Sequence, residues 1–213
     1  MENINTMTSK PNEVNGVHVR GHIKISDVTE KDNVVILVDK PNAIHYENFS
    51  IAMANSLSNQ GFGTIEGMAF GNGGSRVDDT GIITYLTPNN IGSAASLYNQ
   101  TYYKTVDAQQ SYDLDPARNF MQVRHVAGAY YTDILVNCLL DFGEPNGQLA
   151  FDNDVNSAGT YVFDELGLRA LSPNGQGTGA LLTHVIFHPV QKSLNRVIQI
   201  DYTIRVQSLT PGM

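Results

Sequence analysis

The chain has a single cysteine, Cys138, so no internal disulfide can form. Cys138 lies in an apolar, strand-like run, which favours a buried structural thiol over a nucleophile. Long hydrophobic runs are also scarce. The one long apolar stretch, Ile134 to Leu140, is interrupted by Asn137 and is far shorter than the roughly 20 residues that span a bilayer. We therefore expect no membrane partner.

Positive charge is scarce as well, because 13 Lys and Arg residues stand against 21 Asp and Glu, for a net charge of −8. Tracking a phosphate backbone requires clustered cations, so nucleic acid is not an expected partner. Charged residues make up only 16% of the chain, whereas Asn, Gln, Ser, Thr, Gly and Tyr are plentiful. Such a surface fits extensive subunit contacts, because little charge is desolvated on association.

Alternation of apolar and polar residues predicts most of the secondary structure. In the segment 196–207, the side chains predicted to form one buried face are Ile198, Ile200, Tyr202, Ile204 and Val206. That period of two is typical of a strand inside a sheet. The segments 17–25 and 33–39 predict a hairpin across a polar turn. Further strand candidates are 63–70, 81–85, 97–106, 132–142, 159–169 and 179–189.

One segment departs from this alternation, because residues 47–59 place Phe49, Ile51, Ala52 and Leu57 at helical spacing. We predict a helix there, ended by Gly61. With 213 residues the chain suits one domain. We therefore predict a flexible N-terminal arm over residues 1–16 and a single, mainly β domain over 17–213. The expected architecture is an antiparallel β-sandwich or barrel-like domain with one short helix and long loops.

Long loops rich in Gly, Asn and Asp separate the strand candidates, and long ordered loops in a compact domain usually bind something. The region 71–96 contains two of these loops, one on each side of the strand candidate 81–85. Its glycine run lacks the Lys and Ser or Thr of a P-loop and opens no βαβ helix, which favours a tight turn over a nucleotide site. We predict protein–protein contacts by Asn72, Gly73, Gly74, Arg76, Asp78, Asp79, Pro88 and Asn89.

Metal and cofactor motifs are weak. Asp152, Asp154 and Asn156 resemble the start of a calcium loop, but Phe163 occupies the place of the bidentate Glu, so this is a weak metal candidate. His18 with His22 and His184 with His188 share strand faces, but no further ligand is near in sequence. We expect no metal and no cofactor.

Motifs for hydrolysis or acyl transfer are absent, including G-x-S-x-G, H-E-x-x-H and a Cys–His signature. The adjacent carboxylates of Asp164 and Glu165 are expected to point to opposite faces of a strand, without a common role. We therefore expect a non-enzymatic protein.

Three features together resemble a virion structural protein of large tailed bacteriophages with contractile tails. They are Asn42-Ala43-Ile44-His45 before a helix, the turn at 68–74, and FDELGLR at 163–169 followed by the 184–204 segment. The resemblance implies a structural component of the neck or collar, capsid, tail or fibres. Its partners would be copies of itself and other virion proteins, in a homo-oligomer within the virion.

Two rival functions stay open. Tyr98, Tyr102, Tyr103, Tyr130 and Tyr131 would suit a receptor- or carbohydrate-binding module of a fibre or baseplate, since exposed aromatics stack on sugars. A phage-borne cell-wall hydrolase would instead need two carboxylates or a metal set in one cleft.

Overall fold

The computed structural model describes residues 16–145 and 160–209. These ranges contain eleven strands and one helix, with strand making up 51% and helix 7%. In chain order the elements are β1 (Gly16–Asp27), β2 (Val35–Ile44), α1 (Tyr46–Leu57), β3 (Ile65–Gly71), β4 (Ser75–Val77), β5 (Ile83–Tyr85), β6 (Gln100–Thr105), β7 (Phe120–His125), β8 (Tyr131–Leu140), β9 (Thr160–Ala170), β10 (Thr183–Ser193) and β11 (Ile198–Leu209). The predicted mainly β, barrel-like class is confirmed.

Nine strands form one antiparallel sheet in the order β6-β3-β9-β10-β2-β1-β11-β8-β7. The sheet curls into a half-barrel. The predicted hairpin is confirmed, since β1 pairs with β2 and Ile25 faces Val38. The last strand, β11, lies inside the sheet between β1 and β8, as its alternation predicts. Strands β4 and β5 form a separate two-stranded hairpin.

The core lies on one face of the sheet and includes the predicted side of β11. Ile198, Ile200 and Ile204 have no exposed surface, which confirms three of the side chains expected to be buried. Val206 is only partly buried, so that part of the prediction is wrong. It lies near the end of the strand, where it lines an apolar groove beside α1.

The predicted helix is confirmed, with its start and end shifted by one and two residues. It begins at Tyr46 because the His45 ring caps it, with Nδ1 accepting a hydrogen bond from the Asn48 amide at 3.1 Å. The helix ends before Asn59, whose φ of 53° is left-handed. No helix within residues 16–145 and 160–209 is long and apolar enough to cross a membrane.

Strand β7 is a strand that the sequence patterns do not predict. Met121 and Val123 alternate with Gln122 and Arg124, but the alternation stops at the polar His125 and is too short to predict a strand. Inside the sheet, β1 already begins at Gly16, which pairs with Leu209. The rest of the predicted arm lies outside the described residues.

Candidate protein-interaction site

Between β3 and β6 the chain leaves the sheet, and residues 72–99, here called the hairpin excursion, carry the β4–β5 hairpin. All eight predicted contact residues lie in this excursion. The hairpin excursion is therefore the candidate interaction surface.

Asp164 on β9 holds the first turn of the excursion. Its carboxylate accepts hydrogen bonds from the Gly74 amide at 2.9 Å and from the Ser75 amide at 2.7 Å, and the Ser75 hydroxyl also donates to it. Asp164 is buried. Burial raises the pKa of its carboxyl above the ordinary value, although the hydrogen bonds from Ser75 and Gly74 act in the opposite direction.

Glu165, the next residue, holds both ends of the excursion. Oε1 accepts hydrogen bonds from the Gly73 amide at 3.1 Å and the Asn99 amide at 2.8 Å, and Oε2 accepts one from the Tyr98 amide at 2.9 Å. Burial alone would raise the pKa of this carboxyl. The hydrogen bonds from His184 and from the Asn99 and Tyr98 amides outweigh burial and hold its pKa below the ordinary value.

These two adjacent carboxylates were expected to have no common role, and that expectation is wrong. The pairing of β9 with β10 shifts register between Ile186 and Val190, which face Glu165 and Phe163, so the irregularity lies opposite Asp164. A bulge of this kind redirects side chains. It explains how both carboxylates reach the same turn.

His184 on β10 extends the same network. Its Nε2 donates to Glu165 at 2.9 Å, while Nδ1 accepts from the Asn89 amide at 2.7 Å. Because the Asn89 amide donates its hydrogen to Nδ1, that nitrogen must carry a lone pair. The ring is therefore neutral, with its proton on Nε2. The carboxylate partner of His184 is not close in sequence, because Glu165 lies 19 positions earlier on a neighbouring strand.

Two further buried side chains hold the later part of the excursion. Arg169 donates to the Ser96 hydroxyl at 2.7 Å and to the Gly179 carbonyl at 2.7 Å. His45 donates from Nε2 to the Gly92 carbonyl at 2.9 Å, because its Nδ1 is occupied in capping α1. Five buried side chains, from β9, β10 and the residue before α1, thus hold one loop.

The glycine run allows the two ends of the excursion to approach closely. A Cβ on Gly73 would lie 2.8 Å from the Asn99 amide nitrogen, and one on Gly71 would lie 2.5 Å from the Asn99 carbonyl oxygen. The Asn72 amide donates to that same carbonyl at 3.2 Å. The run is therefore a tight turn with backbone contact, as its sequence predicts, and its amides are occupied by the protein itself.

The tip of the excursion points into solvent. Val77 and Ile82 are 65% and 61% exposed, and Asp78 accepts three hydrogen bonds from Thr80 and Ile82, which hold the turn. The side-chain hydrogen bond from Thr80 is the main cause that lowers the pKa of Asp78. Hydrogen bonds within the tip therefore stabilise its turn.

The predicted contact residues fall into two groups. At the root, the amides of Gly73, Gly74 and Asn89 donate to Glu165, Asp164 and His184, respectively. Asn72 accepts a hydrogen bond from Asn99, and Pro88 is half-buried. At the tip, the exposed residues are Arg76, Asp78 and Asp79. The structure brings only this second group to the surface.

Other predicted sites are dispersed. Within residues 16–145 and 160–209, no group of three or more His, Cys, Asp or Glu side chains could hold a metal ion. Among those residues, the nearest carboxylate to the His22 ring is that of Asp39, with Nε2 2.9 Å from Oδ1. The weak calcium candidate, residues 152–156, lies outside the described residues.

Several of the candidate sugar-binding tyrosines make contacts within the protein. The Tyr98 hydroxyl donates to the Thr87 carbonyl at 2.7 Å, and the Arg205 guanidinium lies 3.8 Å from the centre of the Tyr131 ring. The Tyr103 hydroxyl donates to Glu66 at 2.7 Å. Burial and this hydrogen bond raise the pKa of Tyr103.

Comparison of the chain with protein-family models, with curated proteins and with solved structures gives no match.

Proposed function

We propose that this protein is a non-enzymatic structural subunit of a tailed-phage particle, present in many identical copies in the neck or collar, capsid or tail. Its partners are further copies of itself and other virion proteins. The proposal combines the sequence resemblance with the geometry of the hairpin excursion.

One observation carries the proposal: buried polar side chains fix a long loop whose tip exposes apolar surface. Glu165 and His184 are fully buried, and burying such groups is costly unless they are hydrogen-bonded. Here they hold main-chain groups of the excursion. A loop held in one conformation loses little conformational entropy when a partner binds. Rigid projection of Val77 and Ile82 therefore suits a permanent subunit contact.

Repetition of one contact in many copies strengthens an assembly. In a symmetric assembly each contact recurs in every copy, so modest pairwise energies accumulate. Exposed apolar side chains are common singly, but clusters of them usually mark interaction sites. The exposed large side chains of the excursion are Val77, Ile82, Tyr85, Ile91 and Tyr98.

The test replaces the wild-type chain with an Ile82→Asp variant during infection and measures its copy number in gradient-purified particles by quantitative mass spectrometry. Ile82 is exposed, so the variant should keep the wild-type melting temperature while its incorporation falls by about tenfold or more, as for an interface anchor. Leu114→Asp, at a residue 97% exposed away from the excursion, is the matched control. Absence of the wild-type chain from purified particles, or equal incorporation of both variants, would contradict the proposal.

A receptor- or carbohydrate-binding module is the alternative. One cleft of about 310 Å³ favours it, because aromatic and carboxylate side chains converge there, among them Tyr102, Tyr112, Asp113 and Glu144. Rings and hydrogen-bonding groups together are typical of sugar sites. Selective binding on a glycan array, lost in Tyr112→Ala, would support this alternative over the structural role.

A further inference from the structure

The half-barrel ends in two edge strands, and they differ in how well they are covered. On β6 the side chains from Thr101 to Thr105 are half-buried or buried, whereas on β7 those from Gln122 to His125 are all exposed. Within the described sheet β7 pairs only with β8. An open edge of this kind presents backbone donors and acceptors to another chain.

An apolar groove of about 450 Å³ lies between β7 and α1. Its apolar lining includes Met53, Leu57, Met121, Val123, Ile134 and Val206. Leu57 and Val123, on opposite walls, are 85% and 73% exposed. A strand added beside β7 would send every second side chain towards this groove, so one occupant could satisfy both the edge and the apolar lining.

We propose that residues 1–15 of a neighbouring copy supply this strand, pairing antiparallel with β7 and filling the groove. The inference rests on the proposed multi-copy function and assigns it a second contact surface.

The sequence of the segment suits the site. Residues 2–7 contain neither Gly nor Pro, and Pro11 comes only later. In an extended strand Ile4 and Thr6 share one face, and both are β-branched, as strands favour. The register that places Ile4 opposite Val123 also places Thr6 opposite Met121, which directs both towards the groove.

The antiparallel arrangement follows from the sheet, in which every strand pair is antiparallel. Through β8 and β11, the β7 residues His125 and Phe120 align with Val19 and Lys24 of β1. An added antiparallel strand therefore runs in the same direction as β1. Its last residue, Met7, would lie opposite Phe120.

The chain's own N-terminal segment has no slack for this path. From Met7 back to Gly16 the distance is about 26 Å along the strands and about 19 Å across four strand spacings, or about 32 Å over the curved surface of the sheet. Nine residues span at most about 32 Å when fully extended, and here they must also reverse direction. A neighbouring copy has no such limit.

The test uses two full-length single variants, Ile4→Cys and Val123→Cys, mixed under mild oxidation. The native Cys138 is fully buried and does not compete. Because paired residues share a high effective concentration, mixed disulfide dimers should form at least about tenfold faster than with Leu114→Cys, the matched exposed control. Equal rates with both partners would overturn the inference.

A double variant, Ile4→Cys with Val123→Cys, separates the two possible donors. A disulfide within one chain, independent of protein concentration, would mean that the segment fills its own groove, which overturns the exchange between copies. Sedimentation of the same samples separates this failure from that of the proposed function. Assemblies that form without the preferred cross-link refute only the proposed contact between residues 1–15 and the groove. A chain that is monomeric at all concentrations and absent from particles refutes the multi-copy function itself.

Discussion

Replacing Glu165 with Gln tests whether buried carboxylates fix the hairpin excursion. The carboxylate accepts four N–H groups, from Gly73, Asn99, Tyr98 and His184. A glutamine has one acceptor oxygen and an NH₂ group in place of the other. In either orientation of the glutamine amide, two of the four N–H groups then point at its NH₂ group instead of at an oxygen.

The expected loss follows from that count. Hydrogen bonds to a charged group contribute about 1.5–3 kcal/mol each, so losing two should lower the free energy of unfolding by about 3–6 kcal/mol at pH 7. The folded-state pKa of Glu165 is lowered, so its stabilisation is present above the unfolded pKa of about 4.3 and is lost as pH falls through the folded value. The difference between wild type and variant should therefore shrink below about pH 4.

Urea unfolding of both proteins at pH 7 measures the loss, and hydrogen exchange at the amides of residues 73, 98 and 99 shows whether it is local to the excursion. Glu30→Gln, at an exposed carboxylate, is the control and should change stability by less than about 0.5 kcal/mol. A loss below about 1 kcal/mol for Glu165→Gln, with unchanged exchange at those amides, would refute the anchoring role.

Three further predictions concern buried residues. Ile200→Asp places an unpaired charge at a residue with no exposed surface, so chemical denaturation should show a loss of about 3–5 kcal/mol. Burial raises the pKa of the Cys138 thiol to about 12, so a thiol reagent at pH 8 should label it only after unfolding. Asp113 is buried with Oδ2 unpartnered in the described structure, and burial raises its pKa. Asp113→Asn should therefore raise the melting temperature at pH 7 but not at pH 2, where both folded and unfolded chains hold a neutral group.

Sequence periodicity predicted the parts of the fold that have one buried face. In β11 and β1 every second residue is apolar, because a strand turns alternate side chains to the core. In β7 the pattern is short, because only Met121 and Val123 alternate with polar neighbours and His125 ends the alternation. So short a pattern does not distinguish that strand from a loop.

The anchoring network lay beyond the reach of local patterns because its partners are distant in the chain. Glu165 lies 92 positions from Gly73, and His184 lies 95 positions from Asn89. Only the curl of the sheet and the irregular pairing of β9 with β10 bring them together. One signal was present, since Asp164 and Glu165 lie between the apolar Phe163 and Leu166 of a predicted strand, and carboxylates buried in a sheet must find donors.

The two proposed contact surfaces lie at different places on one copy, and that constrains the assembly. The hairpin excursion leaves β3 at Gly71, whereas the groove touches β3 at Ile65, about 20 Å away along the strand. In the proposed exchange the groove receives residues 1–15 of a neighbouring copy, so that contact joins two unlike surfaces. Contacts between unlike surfaces do not close a twofold dimer by themselves; they generate rings when the rotation closes and helical stacks when it does not. The proposed groove contact therefore favours a ring or a helical stack over an isolated twofold pair.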